Sequence, residues 1–387
     1  MSLAAPMRHT HSQRLERWLG AGHVEHLSRQ MRGFYWPIPV HGVPGNVRAM
    51  PGGDFVGEVA AGQEMSAVDR SMDRLVRMRR SNAVRHARTR HQLNAFASLS
   101  ALIAAATGGK AANVTFSKTG VASNAIANCI DLWGAAGQPS AGAAGGAAPG
   151  GTVHTSATTG AMKWPNAVGT ADTSHFVTGY ATASVLGNTL LLYDRLFSVA
   201  KTMNSVATEG VNGIPTRYQS LTATDENYIG GNFLFPSIPT TILANTAHNW
   251  QTGDVGSPTQ GCTYYDQAGL QSALPLIAGV AACVLRGIDL AVGNWFMPLA
   301  AGDVGVKALE TMQSSAAVAS GTIDFVIGHP IAFLPCPVAN MICVVDGINT
   351  AFNLTRVYDN ACLALLEMPK PATTATTYGG QITTVSE

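Results

Sequence analysis

The chain has 387 residues, of which 46% are apolar and only 12% are charged, with a formal net charge of +1. That length can bury a large core and usually divides into two or more domains. Its six cysteines form no C-x-x-C pair and lie mostly in apolar runs such as Met341–Val345, so they read as small buried hydrophobes in a reducing compartment, not as a disulfide frame or a zinc site. Residues 1–20 lack the apolar core of a signal peptide, and the apolar run Ala273–Leu285 is too short to span a bilayer and ends at Arg286. These features predict a soluble protein made in the cytoplasm.

The near-zero net charge hides a split. Residues 1–110 hold 15 of the 24 Lys and Arg and 7 of the 23 Asp and Glu, a balance of +8, which leaves −7 for the rest. A basic leading part and an acidic body can attract other copies of the chain, or the basic part can lie against a polyanion.

In chain order, residues 1–36 read as an arm. It carries a short amphipathic helix within His11–Met31 and an aromatic anchor, Phe34-Tyr35-Trp36. Residues 37–64 are broken by Pro37, Pro39, Pro44 and Pro51 and by several glycines, which predicts an extended hairpin or loop. Such long loops are uncommon and usually functional. Met65–Ala106 is predicted as one long helix or two in tandem, stopped by Gly108-Gly109. At 100° per residue, Arg70, Arg74, Arg77, Arg85 and Arg88 share a narrow arc, while Leu93, Phe96, Leu99, Leu102 and Ile103 form an apolar stripe in the second half.

Asn113–Ser117 is a predicted strand and Val121–Trp133 has helical spacing. Residues 134–163 are nearly all Gly, Ala, Ser, Thr and Pro, which predicts an exposed, flexible loop. Asn188–Met203 is predicted as a second long helix from Leu190, Leu191, Tyr193, Leu196, Phe197 and Val199. Strands are predicted at Asn232–Phe235, Thr240–Ile242, Thr263–Tyr265, Ile323–Ile327, Met341–Val345, Leu354–Val357 and Leu363–Met368. Leu270–Leu285 is ambiguous, and Thr373–Glu387 reads as a Thr-rich tail.

Motifs for chemistry are scattered. Ser198-Val199-Ala200-Lys201, Tyr358-Asp359-Asn360 and Lys118-Thr119-Gly120 match the S-x-x-K, Y-x-N and K-T-G elements of penicillin-recognising serine hydrolases, but K-T-G comes first instead of last. Gly108-Gly109-Lys110 lacks the rest of a phosphate loop. Seven of the eleven histidines precede residue 92, and only His23 and His26 have helical ligand spacing, without a third ligand. No catalytic, cofactor or metal set is assigned. The arginine arc is a solvated face, a contact with the acidic body of a neighbouring copy, or a phosphate contact; the lack of interleaved aromatics and of any nucleic-acid module argues against the last.

The order of arm, extended loop, long helix, mixed body and closing strands resembles the major capsid protein of tailed bacteriophages. The closing stretch from Gly328-His329-Pro330 through Val345-Asp346-Gly347 to Lys370-Pro371 is also similar to phage virion proteins. The resemblance implies an α+β fold: arm (1–36), extended loop (37–64), peripheral domain with the spine helix (65–135), axial domain (136–330) and closing strands returning to the peripheral domain, with the tail (331–387). It implies a non-enzymatic subunit forming pentamers and hexamers of an icosahedral shell around double-stranded DNA, without sequence-specific binding, cofactor, metal or membrane. Scaffolding, portal and decoration proteins are the implied partners, and the virion is the implied location. Arg70, Arg74, Arg77, Arg85, Arg88, Phe34, Tyr35 and Trp36 are the expected inter-subunit contacts. The alternatives are a tail tube or sheath protein, or an intracellular serine hydrolase using Ser198 and Lys201.

Overall fold

The computed structural model describes residues 96 and 98–387, apart from 123–127, 164–172, 186–187, 224, 226, 240–246, 257–259, 281–284, 292, 319–320, 349–353 and 369–372. Within them one helix, α1 (Leu99–Ala105), is followed by a single π-helical turn, Ala106–Lys110, and then by nineteen strands numbered in chain order. Ser98 caps α1 by accepting a hydrogen bond from the Ala101 amide. Gly109, at φ +88°, ends the helical path as the paired glycines predict.

The outer sheet has the order β16 (Cys343–Asp346), β6 (Ser174–Ala183), β19 (Thr377–Ser386), β1 (Ala111–Thr119) and β3 (Gly137–Gln138), with β17 (Arg356–Val357) also on β6. The central sheet has the order β2 (Ile130–Asp131), β18 (Leu363–Glu367), β7 (Asn188–Thr202), β15 (Thr322–Cys336) and β9 (Phe233–Ser237). The short strands β4 (Gly146–Ala147) and β5 (Thr152–Val153) also lie on β7. A smaller sheet runs β12 (Gln271–Ala273), β11 (Thr263–Asp266), β14 (Val306–Met312) and β8 (Glu209–Gly210), and β10 (Asn249–Trp250) pairs with β13 (Ile277–Ala278). All pairings are antiparallel except β4 with β7.

These sheets stack in layers around two cores. In the first, Phe116, Phe176 and Ile382 of the outer sheet meet Leu190, Leu192, Ile331 and Leu365 of the central one. In the second, Leu191, Phe197, Phe325 and Ile327 on the other face meet Trp250, Tyr264, Leu309 and Met312. Each such side chain contributes about 1.5–3 kcal/mol on full burial. β1 is buried on one face, and its burial alternates along the strand. β7 is covered on both faces, so Leu190–Val199 is an almost unbroken buried run. The β7–β15 ladder runs from Thr202 opposite Thr322 to Asn188 opposite Cys336, with register shifts beside Gly328 and Pro330. A proline is tolerated in a central strand at such an irregularity.

Several expectations are overturned. The described body is built of β-sheet, with no long spine helix among the described residues, so the α+β tailed-phage capsid fold is incorrect. Of the predicted Met65–Ala106 helix, residues 65–95 lie outside the described residues; the described end is a helix only over Leu99–Ala105, with Leu99 and Ile103 exposed and Leu102 buried. The predicted helix Asn188–Met203 is instead the strand Asn188–Thr202, because burial on both faces removes the alternation that marks a strand and leaves an apolar run that also fits helical spacing. Thr377–Ser386 is no tail but an interior strand of the outer sheet, paired with β1 and β6. The arm, the extended loop and Thr240–Ile242 lie outside the described residues.

Residues 134–163 are also no free loop. They supply β3, β4 and β5 and bury Ala135, His154, Ala161 and Met162. Their small residues are required by close approach: a Cβ on Gly142 would lie 2.1 Å from the Trp133 ring, and one on Gly151, at φ +65°, 2.3 Å from Phe197. The composition that resembles a linker is what lets this backbone lie directly on β7.

Candidate functional site

The polar groups of the body concentrate along β7 and the segment lying on it. In a chain with so few charges, Asp131, Asp194, Arg195, Arg217 and Asp324 are all buried. A buried charge must be paired and hydrogen-bonded. Arg217 donates to Asp194 through Nε at 2.7 Å and Nη2 at 2.6 Å, and Asp194 also accepts the Cys362 amide at 2.8 Å. The third guanidinium bond of Arg217, from Nη1, goes to the carbonyl of His154 at 2.9 Å.

Arg195 is held differently. Its Nη1 donates to Asp131 at 2.9 Å and to the Tyr193 hydroxyl at 3.1 Å, its Nη2 is 3.9 Å from Asp324, and its guanidinium lies over the Trp133 ring at 4.9 Å. The amide of Gly145 donates to Asp324 at 2.6 Å, which ties the 134–163 segment to β15. Arg195 Nε and Asp324 Oδ1 make no hydrogen bond. Burial raises the Asp324 carboxyl to about 6, against the opposing pull of Arg195 and the Gly145 amide.

The serine of the S-x-x-K match takes part here, but not with its lysine. Ser198 Oγ lies 2.7 Å from His154 Nε2. Ser198 and Lys201 are three positions apart on a strand and so point to opposite faces of the sheet. Lys201 Nζ donates instead to Glu209 at 2.9 Å and to the Ala207 carbonyl at 3.0 Å. The Ser-Lys dyad is therefore not formed. A serine bonded to a histidine is the first element of an activated nucleophile, which needs a third group to orient the ring. His154 Nδ1 has no partner, and burial, with Arg195 and Arg217 nearby, holds the imidazole neutral, well below its ordinary pKa. Both side chains are buried, and Gly145 covers the serine so closely that a Cβ there would lie 2.7 Å from Oγ.

The other two motif fragments lie elsewhere. Lys118, on β1, donates to the carbonyls of Ala135, Pro139 and Ser140, and burial lowers it to about 8. Tyr358 packs against Tyr218 and beneath Arg356, and the Asn360 carbonyl accepts the Ser156 amide. Arg70, Arg74, Arg77, Arg85, Arg88, Phe34, Tyr35 and Trp36 lie outside the described residues. Cys129, Cys262, Cys336 and Cys362 are buried free thiols. Among the described residues no group of three or more His, Cys, Asp and Glu side chains could hold a metal ion, and no helix is long and apolar enough to cross a membrane.

Sequence reasoning passed over Asp131, His154, Asp194, Arg195, Arg217 and Asp324. The available signal was a charge set inside an apolar run, as in Ile130-Asp131-Leu132 and Ile323-Asp324-Phe325.

No known family matches the chain, and no curated protein matches it. Among solved structures, a chain titled "Structure of infectious bursal disease virus Gt strain" has 11% sequence identity and a TM-score of 0.15, over 71% of this chain and 80% of that one. So low a score assigns neither fold nor function.

Proposed function

We propose that this chain is a structural subunit that assembles with copies of itself into a virion shell enclosing nucleic acid. The observation that carries the reading is the charge partition, +8 in residues 1–110 against −7 in the remainder. A basic leading segment neutralises phosphates or meets the acidic body of a neighbouring copy. The subunit's partners are then other copies of the chain, arranged as pentamers and hexamers, and the enclosed nucleic acid; its place is the virion, after synthesis in the host cytoplasm.

One observation favours a second reading, a serine hydrolase: the 2.7 Å contact between Ser198 and His154. Negative-stain microscopy of the purified full-length chain, with nuclease digestion of any copurifying nucleic acid, separates the cases. Closed particles that protect nucleic acid are expected. Long tubes would point to a tail component, and a dispersed protein labelled at Ser198 by a fluorophosphonate would point to the hydrolase.

A further inference from the structure

Cys336 and Cys343 are the nearest pair in sequence among the chain's cysteines, separated by six residues. Cys336 ends β15 of the central sheet, and Cys343 begins β16 of the outer one. Both are free thiols; Cys336 is buried and Cys343 half-buried. The link between them is a turn. The Met341 amide donates to the Val338 carbonyl, Asn340 stands at φ +58°, and the Asn340 amide donates to the Ala183 carbonyl at the end of β6. The turn carries the chain from one sheet to the other at the end where β15 packs against β6 and β16.

Register fixes where the two sulfurs point. In β16, Val345 lies in the core between the sheets while Val344 is 64% exposed. Side chains alternate along a strand, so Cys343 faces the same core as Val345. Leu334 and Cys336, also two apart, are both buried in that core. A Cβ on Gly179 would lie 3.1 Å from the Leu334 side chain, and Gly179 is paired with Val345. Leu334 therefore sits over the Gly179–Val345 pair. β6 and β15 run the same way, because β6 leads into β7 at Asn188 and β15 ends opposite Asn188. Two residues further along each strand, Leu334 gives way to Cys336 and the pair beneath it to Ala181–Cys343. Packed sheets lie about 10 Å apart, and a disulfide needs Cα atoms within about 7 Å. Gly179 and Ala181 have too little bulk to hold the layers apart here, and a disulfide can join two packed sheets across a core.

We propose that Cys336 and Cys343 close an intramolecular disulfide under oxidising conditions, a staple that ties the end of β15 to β16 across the core. Burial raises the Cys336 thiol above its ordinary range, and the neighbouring Cys343 adds to the rise. The sulfur that reacts first is therefore the half-buried one, Cys343. The oxidant is a small disulfide such as oxidised glutathione. The Cys343 thiolate attacks one of its sulfurs, which forms a mixed disulfide and releases one glutathione thiolate. The Cys336 sulfur then attacks Cys343, and the second glutathione thiolate leaves. The two protons given up by the cysteines end on the two released thiols; glutathione disulfide is reduced as the protein pair is oxidised. Cys336 surrenders only a thiol contact of 3.1 Å to the Asn188 carbonyl, and a thiol is a weak donor. The staple lies within one copy, so it does not depend on the shell reading.

The test uses the full-length protein, first reduced and then equilibrated in native buffer with oxidised glutathione. After acid quenching, denaturation and alkylation, the wild type should lose two alkylatable thiols, and a peptide map should join Cys336 to Cys343. Cys343→Ser should lose neither thiol pair nor mass. Cys336→Ala removes the second sulfur and should instead hold glutathione on Cys343. Circular dichroism should show both variants folded; should Cys336→Ala fail to fold, the wild-type map and Cys343→Ser, at the half-buried position, carry the test. A disulfide constrains the unfolded chain, so the urea midpoint of the wild type should rise on oxidation while that of Cys343→Ser stays in place. A map with both cysteines still reduced, a glutathione adduct that persists on Cys343 of the wild type, or a dimer linked through Cys343 would each overturn the proposal. A linked pair with an unchanged urea midpoint would overturn it as a staple.

Discussion

Two arginines stand on neighbouring sites of the body, and they are paired in different ways. Arg217 meets Asp194 in a two-pronged contact, spends its remaining amino group on the His154 carbonyl, and leaves Asp194 saturated by the Cys362 amide. Arg195 is shared between Asp131 at 2.9 Å and Asp324 at 3.9 Å, with one atom of Arg195 and one of Asp324 unbonded. Both sites are buried, and they differ in stoichiometry. One cation for one carboxylate closes its hydrogen bonds; one cation for two leaves the second carboxylate under-compensated, and its pKa rises.

Substitutions can break this contrast. The largest effect is expected at the closed pair: Asp194→Ala strands the Arg217 guanidinium and should cost about 3–5 kcal/mol, read as a lower urea midpoint with an unchanged m-value. A loss below about 1 kcal/mol would mean the pair is not closed as described. Next comes Ser198→Ala, which removes the partner of His154 Nε2 and should cost about 1–3 kcal/mol without changing the shell-forming behaviour scored by microscopy.

The smallest effect sharpens the contrast. Asp324 has a folded-state pKa raised to about 6 from 3.8, so its contribution is fully present below the unfolded value and is lost as pH rises through about 6. Arg195, Asp131 and the Gly145 amide are the groups facing it. Between pH 7 and pH 5 the wild type should therefore gain about 1 kcal/mol relative to Asp324→Asn. The comparison with the variant cancels the opposite trend of the buried neutral histidines. A constant difference across that range would place the Asp324 carboxyl near its ordinary value.

How much of this was legible depended on how many faces each element buries. β1 has one buried face, and its alternation was readable; the strands at Thr263, Ile323 and Leu363 were readable from apolar β-branched and aromatic runs bounded by turns. β7 has two buried faces, so its period vanished and a helix fitted equally well. β19 failed for the opposite reason: Thr-rich and polar, it looks like a tail, yet threonine is β-branched and suits an interior strand. The site was legible only as isolated residues. Ser198 was noticed for its spacing to Lys201, but its partner is 44 positions earlier, and Asp131 lies 64 positions from Arg195. Partners so far apart are set by sheet topology, which local spacing does not encode.

The place of β19 has a consequence in time. It is the last strand in sequence, yet it lies between β6 and β1, joined to β1 from Ala111 opposite Val385 to Thr119 opposite Thr377. A ribosome adding about 5–20 residues per second needs on the order of tens of seconds to travel from β1 to β19. Throughout that interval the inner edges of β1 and β6 have no strand to close them. Contacts this distant in sequence also form slowly. The nascent chain thus carries two open edges, and a cell making many copies at once would need to keep those edges apart until the final strand arrives.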